Sequence, residues 1–408
     1  MHILFLTDNF PPEGNAPATR TYEHSREWVR LGHKVTVITC APNFPEGVLF
    51  KGYKNKWYQR EVVDGIDVVR VKTYITANEG FAKRILDYIS FGFTGGIAGL
   101  FQKKPDVIIS TSPQFFCACG AWVLSVVRWK PWIFELRDIW PASITAVGAM
   151  EKSTVIHLLE KLEMFLYRRA DRIVSVTNSF KTELTERGIE RNKIDVVVNG
   201  VDITKYRPVV EKDQALARQY GLEGKFVVGY IGTHGMAHAL DKVLDAAERL
   251  QDNEEIRFLF TGGGAARAGL EQRALNRKLS SVVMMPRQPK EMMPAVWSLC
   301  DISLISLRDT PLFTKVIPSK IFESMGMGLP MIIACPEGEA TGIVRDTGSG
   351  MVVPPEQPAV LASCIKELYV DRERMSELAR ASAASAATYD RAGQAFLMLK
   401  SLQKVVRR

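Results

Sequence analysis

The run IPSKIFESMGMGLPMIIA (317–334) sets Glu323 between a Pro-Ser-Lys turn and a Gly-Met-Gly-Leu-Pro segment, just before the apolar stretch Met331–Ala334. A carboxylate there crowds a packed boundary unless it has something to hold. The plainer alternative is one turn of amphipathic helix, Lys320–Met325, with Glu323 solvated. A second candidate is TGGGAARAG (Thr261–Gly269), which follows an apolar stretch. Gly262 and Gly263 can turn backbone N–H groups toward phosphate oxygens, and a simple strand-to-helix turn explains the run equally well. Arg267 occupies the third glycine position of a dinucleotide fingerprint, and the first apolar stretch runs into Pro11, Pro12 and Gly14, so nicotinamide binding is not expected. EGE (Glu337–Glu339) imitates a paired-carboxylate site but reads as a solvated loop. Cys117-Ala-Cys119 has no second pair to complete a metal site, and the six scattered cysteines read as free thiols of a reducing cytoplasm.

These residues need a scaffold, and the chain supplies it by alternation. Apolar, β-rich runs fall at His2–Thr7, Val35–Thr39, Val68–Val71, Val107–Ser110, Trp132–Glu135 and Ile173–Val176, with helical patterns between them at Thr19–Leu31 and Ile156–Arg169. After Pro208 and a polar stretch the alternation restarts at Phe226–Ile231. It continues through Arg257–Thr261, Val282–Met285, Ile302–Ile305 and Met331–Ala334. Such alternation predicts parallel sheets covered by helices on both faces. Two series in 408 residues predict two doubly wound α/β domains, 1–205 and 206–385, followed by a helical tail over 386–408. Ligands of such sheets bind beyond the carboxyl ends of the strands, so two facing domains would form one cleft.

Charge and hydropathy suggest where the protein works. The formal net charge is +8, and between Arg20 and Lys104 fourteen Lys or Arg stand against eight Asp or Glu. Within that region Leu49–Arg60 (LFKGYKNKWYQR) mixes four cations with Phe50, Tyr53, Trp57 and Tyr58. That pattern suits an anionic membrane surface or, less well without any accompanying motif, single-stranded nucleic acid; a solvated loop is the plain reading. Ile85–Phe101 and Phe115–Val127 are apolar but too short to span a bilayer, which takes about 20 residues. Lys83, Arg84, Lys103 and Lys104 would anchor the first as an in-plane helix. The opening MHILFLTDNFPPEG reads as a buried strand, not a leader. A cytoplasmic protein held peripherally at the inner face of the cell membrane is expected, with no nucleic-acid partner.

Five segments in order, LTDNFPPEGNAPATR, FELRDIWPASI, VVVNGVDITKYRP, YIGTHGMAHAL and IPSKIFESMGMGLP, make the chain resemble a retaining glycosyltransferase of sequence family four, with the two-domain GT-B fold. The likeness covers essentially the whole chain and is strongest to the bacterial branch that builds O-antigen and capsule sugars, including fucosamine transferases. It implies that Glu323 accepts hydrogen bonds from the ribose hydroxyls of a nucleotide-sugar donor, a role suited to two charged acceptor oxygens. Ser319 and the helix start after it would lie near the diphosphate, and Lys320 could add a full charge. Where many relatives carry a second glutamate this chain has Lys315. Where many hold the diphosphate with Arg and Lys it has Thr233 and His238, so Lys320, backbone amides or Arg20 would have to compensate. Gly235 would let the backbone approach the phosphates, and His234 and His238 alternatively form a surface turn.

The resemblance also places Gly14 near the donor phosphate and Asn15, Arg20 and Arg137 on the acceptor side. Asp138 would accept a hydrogen bond from the acceptor hydroxyl or the donor sugar, unless Arg137 and Asp138 simply pair with each other. Asn199–Asp202 is read as shaping the crossover between domains. Met285–Leu304 would hold the base, with Arg287 near it. Catalysis then falls to Asp138 and Lys320, mainly by stabilising charge on a departing diphosphate. No Asp-x-Asp motif occurs, so neither metal nor other cofactor is expected. The expected reaction moves a hexosamine-type sugar from a UDP-sugar to a polyprenyl-diphosphate-linked saccharide, with domain closure excluding water. The alternatives are a sugar-nucleotide 2-epimerase of the same fold and a non-catalytic scaffold subunit.

Overall fold

The computed structural model describes residues 1–44, 46–76, 81–112, 115–139 and 154–406. The chain divides into two compact units, residues 1–198 with 391–408, and residues 199–390. It leaves the first unit after Val198, earlier than the 205/206 boundary expected, and returns at Arg391.

The first unit is built on an eight-stranded sheet, β1 (His2–Leu6), β2 (Lys34–Cys40), β3 (Tyr58–Val63), β4 (Ile66–Val71), β5 (Val107–Thr111), β6 (Trp132–Leu136), β7 (Arg172–Ser175) and β8 (Ile194–Val196), in the order β3-β4-β2-β1-β5-β6-β7-β8. All neighbours run parallel except the β3–β4 hairpin. Side chains alternate across a strand, so β1 sends Ile3 and Phe5 to one face and Leu4 and Leu6 to the other, and both faces are dry. On one face lies helix α1 (Ala16–Arg30), started by Asn15, whose side chain accepts from the Ala18 amide. Helix Arg391–Val406 packs on the same face: the Trp28 indole N–H donates to the Ala395 carbonyl at 2.9 Å, and Met398 and Leu402 are fully buried. On the opposite face lie helices α2 (Phe81–Leu100) and α3 (Phe115–Arg128).

Three strands were not anticipated. β3 occupies part of the basic, aromatic segment read as a loop, although Asp64 and Gly65, both at positive φ, form the hairpin turn that pairs it with β4. β8 and β14 (Gly350–Val353) are short edge strands with little pattern of their own.

The second unit holds a six-stranded, all-parallel sheet in the order β11-β10-β9-β12-β13-β14, from β9 (Phe226–Ile231), β10 (Ile256–Thr261), β11 (Val282–Met285), β12 (Ile302–Ser306), β13 (Met331–Ala334) and β14. Strand order reverses between β9 and β12. That switch point opens a crevice at the carboxyl ends of the strands, where doubly wound sheets bind ligands. Among the described residues, no helix is long and apolar enough to cross a membrane.

Candidate donor site

The loops after β9 and β10 interlock at this switch point. The Gly232 amide donates to the Thr261 carbonyl at 2.9 Å, His234 N–H to the Gly263 carbonyl at 2.8 Å, and Ala266 N–H to the His234 carbonyl at 2.9 Å. Glycine is required where the strands of chain touch. Gly262 has φ +142°, and a Cβ there would lie 1.9 Å from the Gly232 carbonyl oxygen. Gly263, by contrast, faces open space, and a Cβ on Gly235 would meet only ordinary contacts, so both present bare backbone outward. Arg267, at the third-glycine position, is a clamp: its Nη1 donates to the carbonyls of Gly262 and Met285.

The segment that opened the sequence reading is the other wall. Ser319 precedes helix Lys320–Met327, and its carbonyl accepts from the amides of Phe322 and Glu323. The Ser324 hydroxyl ties this helix to β12 through Ser303 at 2.6 Å. The glycines after Glu323 have distinct uses. A Cβ on Gly326 would lie 2.9 Å from Cβ of Tyr206, so the helix packs at backbone distance there, and Gly328, φ +66°, ends it in the left-handed conformation. Glu323 stands half-buried in the first turn, where the helix dipole favours an anion.

Lys320 is the unusual group of the unit. It is 8% exposed, its Nζ lies 3.6 Å from the Tyr230 ring centroid, and it has no hydrogen-bond acceptor among the described residues. Its Nζ also lies 3.1 Å from where a Cβ on Gly232 would be, so it sits directly beneath the glycine loop. Burial lowers its pKa to about 7, against the raising influence of Glu323 and Cys335. His234 is fully buried with both ring nitrogens unpartnered among the described residues; burial first, then the Arg267 and Lys320 cations, lowers it to about 4. His238 is held near the same value by burial and Lys320, and its Nδ1 lies 3.3 Å from the Ser306 carbonyl, which makes that nitrogen the donor. A surface turn therefore does not describe these histidines: His234 is a buried neutral wall, and His238 is half-buried and neutral. Thr233 is exposed, its carbonyl accepting from the Tyr230 hydroxyl, and Arg287 is exposed just after β11. The arrangement sets Lys320, whose ammonium has no hydrogen-bond acceptor among the described residues, against a backbone cradle, with Glu323 supplying an opposing charge.

The first unit gathers a different cluster at the end of β6. Arg20 is fully buried, donating to Glu135 at 2.8 Å and to the carbonyls of Val197 and Val198. It offers no surface to an acceptor or a phosphate, which corrects the role expected of it; it pins the end of the unit to the strand. Asn15 is likewise engaged within its own loop, capping α1 and donating to Asn9. Gly14 beside it is exposed. Arg137 is half-buried, with Nη1 lacking a partner among the described residues. Burial and the cations of Arg20 and Arg391 hold it down at about 10, against the pull of Glu135. Burial alone would raise the Glu135 carboxyl, yet Arg20 and Arg137 outweigh that and lower it. The Ser112 hydroxyl accepts from the amides of Arg137 and Asp138 at 2.7 and 3.1 Å and fixes this turn, with Asp138 half-buried. Sequence reasoning missed Glu135, Tyr230 and Arg391, which ion-pairs with Glu23 at 3.4 Å. A charged residue inside an apolar strand run was the available signal for Glu135.

Comparison with known proteins agrees with this architecture. Residues 15–200 match the model of a glycosyl transferase 4-like domain, and residues 212–384 match that of glycosyl transferases group 1. The chain is a glycosyltransferase of the GT-B fold. It is 26% identical over 377 residues to the putative colanic acid biosynthesis glycosyl transferase WcaI of Escherichia coli K12, covering 90% of this chain and 92% of that one. It is 25% identical over 288 residues to the probable glycosyltransferase WbjE of Pseudomonas aeruginosa, covering 67% and 71%. In fold it is similar to sucrose-phosphate synthase from Thermosynechococcus elongatus (TM-score 0.80, 14% identity, 99% and 98% covered). It is also similar to HepE of Anabaena in complex with UDP (TM-score 0.71, 16% identity, 99% and 100% covered).

Proposed function

We propose that the enzyme transfers a hexosamine-type sugar, with retention, from a UDP-sugar to a polyprenyl-diphosphate-linked saccharide. It would do so in surface-polysaccharide synthesis, without metal, at the inner face of the cell membrane. The carrying observation is the buried Lys320, without a hydrogen-bond acceptor among the described residues, beneath Gly232 and the interlocked glycine loops, a seat for a diphosphate. Glu323, one helical turn on, takes the ribose hydroxyls, and Ser319, Thr233, His238 and Arg287 line the same end of the sheet. The colanic acid relative supports the pathway class, the UDP complexes of HepE support the base, and the resemblance to fucosamine transferases supports the sugar.

In the reaction the bond from the anomeric carbon to the diphosphate oxygen breaks, and its electron pair stays on the phosphate. The acceptor hydroxyl oxygen bonds to the oxocarbenium-like carbon on the face the diphosphate leaves, and its proton passes to a departing phosphate oxygen. Lys320 stabilises the growing negative charge. Asp138 orients the acceptor hydroxyl or donor sugar, and Arg137, whose Nη1 lacks a partner among the described residues, holds an acceptor phosphate.

UDP release from a panel of UDP-sugars, with and without a lipid-linked acceptor, tests this. Release that needs acceptor, and falls on the order of 10²-fold in Lys320→Ala, is the expected result. Conversion of donor alone to an isomeric UDP-sugar without net UDP release identifies an epimerase, and near-normal turnover in the variant removes Lys320 from the mechanism.

A further inference from the structure

A soluble amphipathic helix turns its apolar stripe inward and its polar residues outward. Helices α2 and α3 break this rule. On α2, Phe91, Gly95 and Ala98 face the core, yet Leu86, Ile89, Phe93, Ile97 and Leu100 form a second apolar stripe at three- and four-residue spacing on the exposed side, Phe93 being 68% exposed. On α3, Val123, Val126 and Val127 do the same.

The two stripes belong together. A Cβ on Gly92 would lie 2.3 Å from the Phe116 carbonyl oxygen and one on Gly120 2.2 Å from that of Gly92, so the helices cross at backbone contact. Arg128 ties their ends, donating to the carbonyls of Leu100 and Gln102 at 3.0 and 2.7 Å. That end carries Phe101 and Trp129, 79% and 91% exposed, beside exposed Lys103 and Lys104 and half-buried Lys130. The Gln102 amide, 3.4 Å from the Tyr58 hydroxyl, brings a third aromatic of the basic segment alongside. Lys83 is exposed at the other end of α2, and the one acidic residue of the two helices, Asp87, is half-buried.

We propose that this α2–α3 face is the surface by which the enzyme docks, helices in plane, on an anionic phospholipid bilayer. The proposal rests on the membrane-peripheral reading above and names the residues that carry it. Charge selects the occupant. Paired with a second copy about a two-fold axis, the face would bring like cations together at both ends, whereas anionic head groups complement them. The apolar stripes and exposed rings then sit at the level where amphipathic aromatics are stable. Among the described residues neither helix is both long and apolar enough to cross.

Co-sedimentation of the full chain with vesicles of phosphatidylglycerol and phosphatidylethanolamine, against pure phosphatidylcholine, tests it. Preferential binding to the anionic vesicles is expected. Phe93→Ser/Phe101→Ser/Trp129→Ser should lower partitioning by 10-fold or more, and Lys103→Glu/Lys104→Glu should abolish the anionic preference, since each cation near such a surface is worth roughly five-fold. All substitutions are at exposed positions, and unchanged thermal melting confirms folding. Thermal stabilisation by UDP, read in parallel, tests the donor site separately, so either reading can fail alone. Absence of vesicle binding by the wild type, binding by both variants equal to that of the wild type, or a wild-type dimer that the triple variant dissociates without change in vesicle binding overturns the proposal.

Discussion

Replacing Lys320 by methionine, which keeps the length and removes the charge, should stabilise the ligand-free protein while weakening donor binding. An ordinary lysine holds its proton to about 10.5, whereas here burial brings the value to about 7. Keeping the charged form in this site therefore costs on the order of 4–5 kcal/mol. The native state releases the proton near pH 7 and the unfolded chain only near 10.5, so the unfolded state binds more protons between those values. The penalty is thus complete below pH 7 and fades as pH rises toward 10.5. Lys320→Met should exceed wild type in urea-unfolding free energy by a few kcal/mol at pH 6, and by about 2–3 kcal/mol less at pH 9. UDP affinity of the wild type should fall between pH 7 and 9, as proton uptake on binding becomes harder, and calorimetry in buffers of different ionisation enthalpy should register that uptake. His234 and His238, lowered to about 4 in the folded state, add the same pH dependence to both proteins, so they cancel from the stability gap. A stability gap that is absent, or that does not change from pH 6 to 9, refutes the assignment of a buried ammonium whose desolvation outweighs its charge partners.

Glu323→Ala should lose the thermal shift that UDP gives the wild type. Ligand at 100 times its dissociation constant adds about 2.7 kcal/mol, several degrees for a unit of this size, and differential scanning fluorimetry with UDP, GDP, ADP and TDP also reads the base. Gly262→Ala should destabilise by on the order of 3 kcal/mol, because the new Cβ meets the Gly232 carbonyl at 1.9 Å at φ +142°; unchanged urea denaturation would contradict the interlocked loops. Glu135→Leu strands the fully buried Arg20 and should cost about 3–5 kcal/mol in chemical denaturation. A loss below 1 kcal/mol would mean that the Val197 and Val198 carbonyls suffice.

Much of this protein is written in local pattern. Strands such as β1, β9 and β13 are continuous apolar runs because both faces of a parallel sheet are covered, and that signal survives without any knowledge of neighbours. Glycine punctuation likewise placed the turn after Glu323 and the loop at Gly262–Gly263, so the donor end of the second sheet was legible in outline. What failed were properties that depend on what lies against a residue. β3 was hidden because its exposed face mixes Tyr58, Arg60 and Val62 with no apolar alternation, and only pairing with β4 makes it a strand. Arg20 and Asn15 have the chemistry of ligand-binding residues, yet their donors are engaged by Glu135, by the Val197 and Val198 carbonyls, and by their own loop. A surface turn stood open for His234 and His238 because nothing in their neighbours reports the burial of His234, which interlocking with the β10 loop imposes. Sequence by itself therefore determined the residue types at the site and the order of the elements carrying them. Only tertiary structure decided that Lys320 stands buried beneath a glycine cradle with no hydrogen-bond acceptor among the described residues, because desolvation and pairing arise from groups brought together across long stretches of chain.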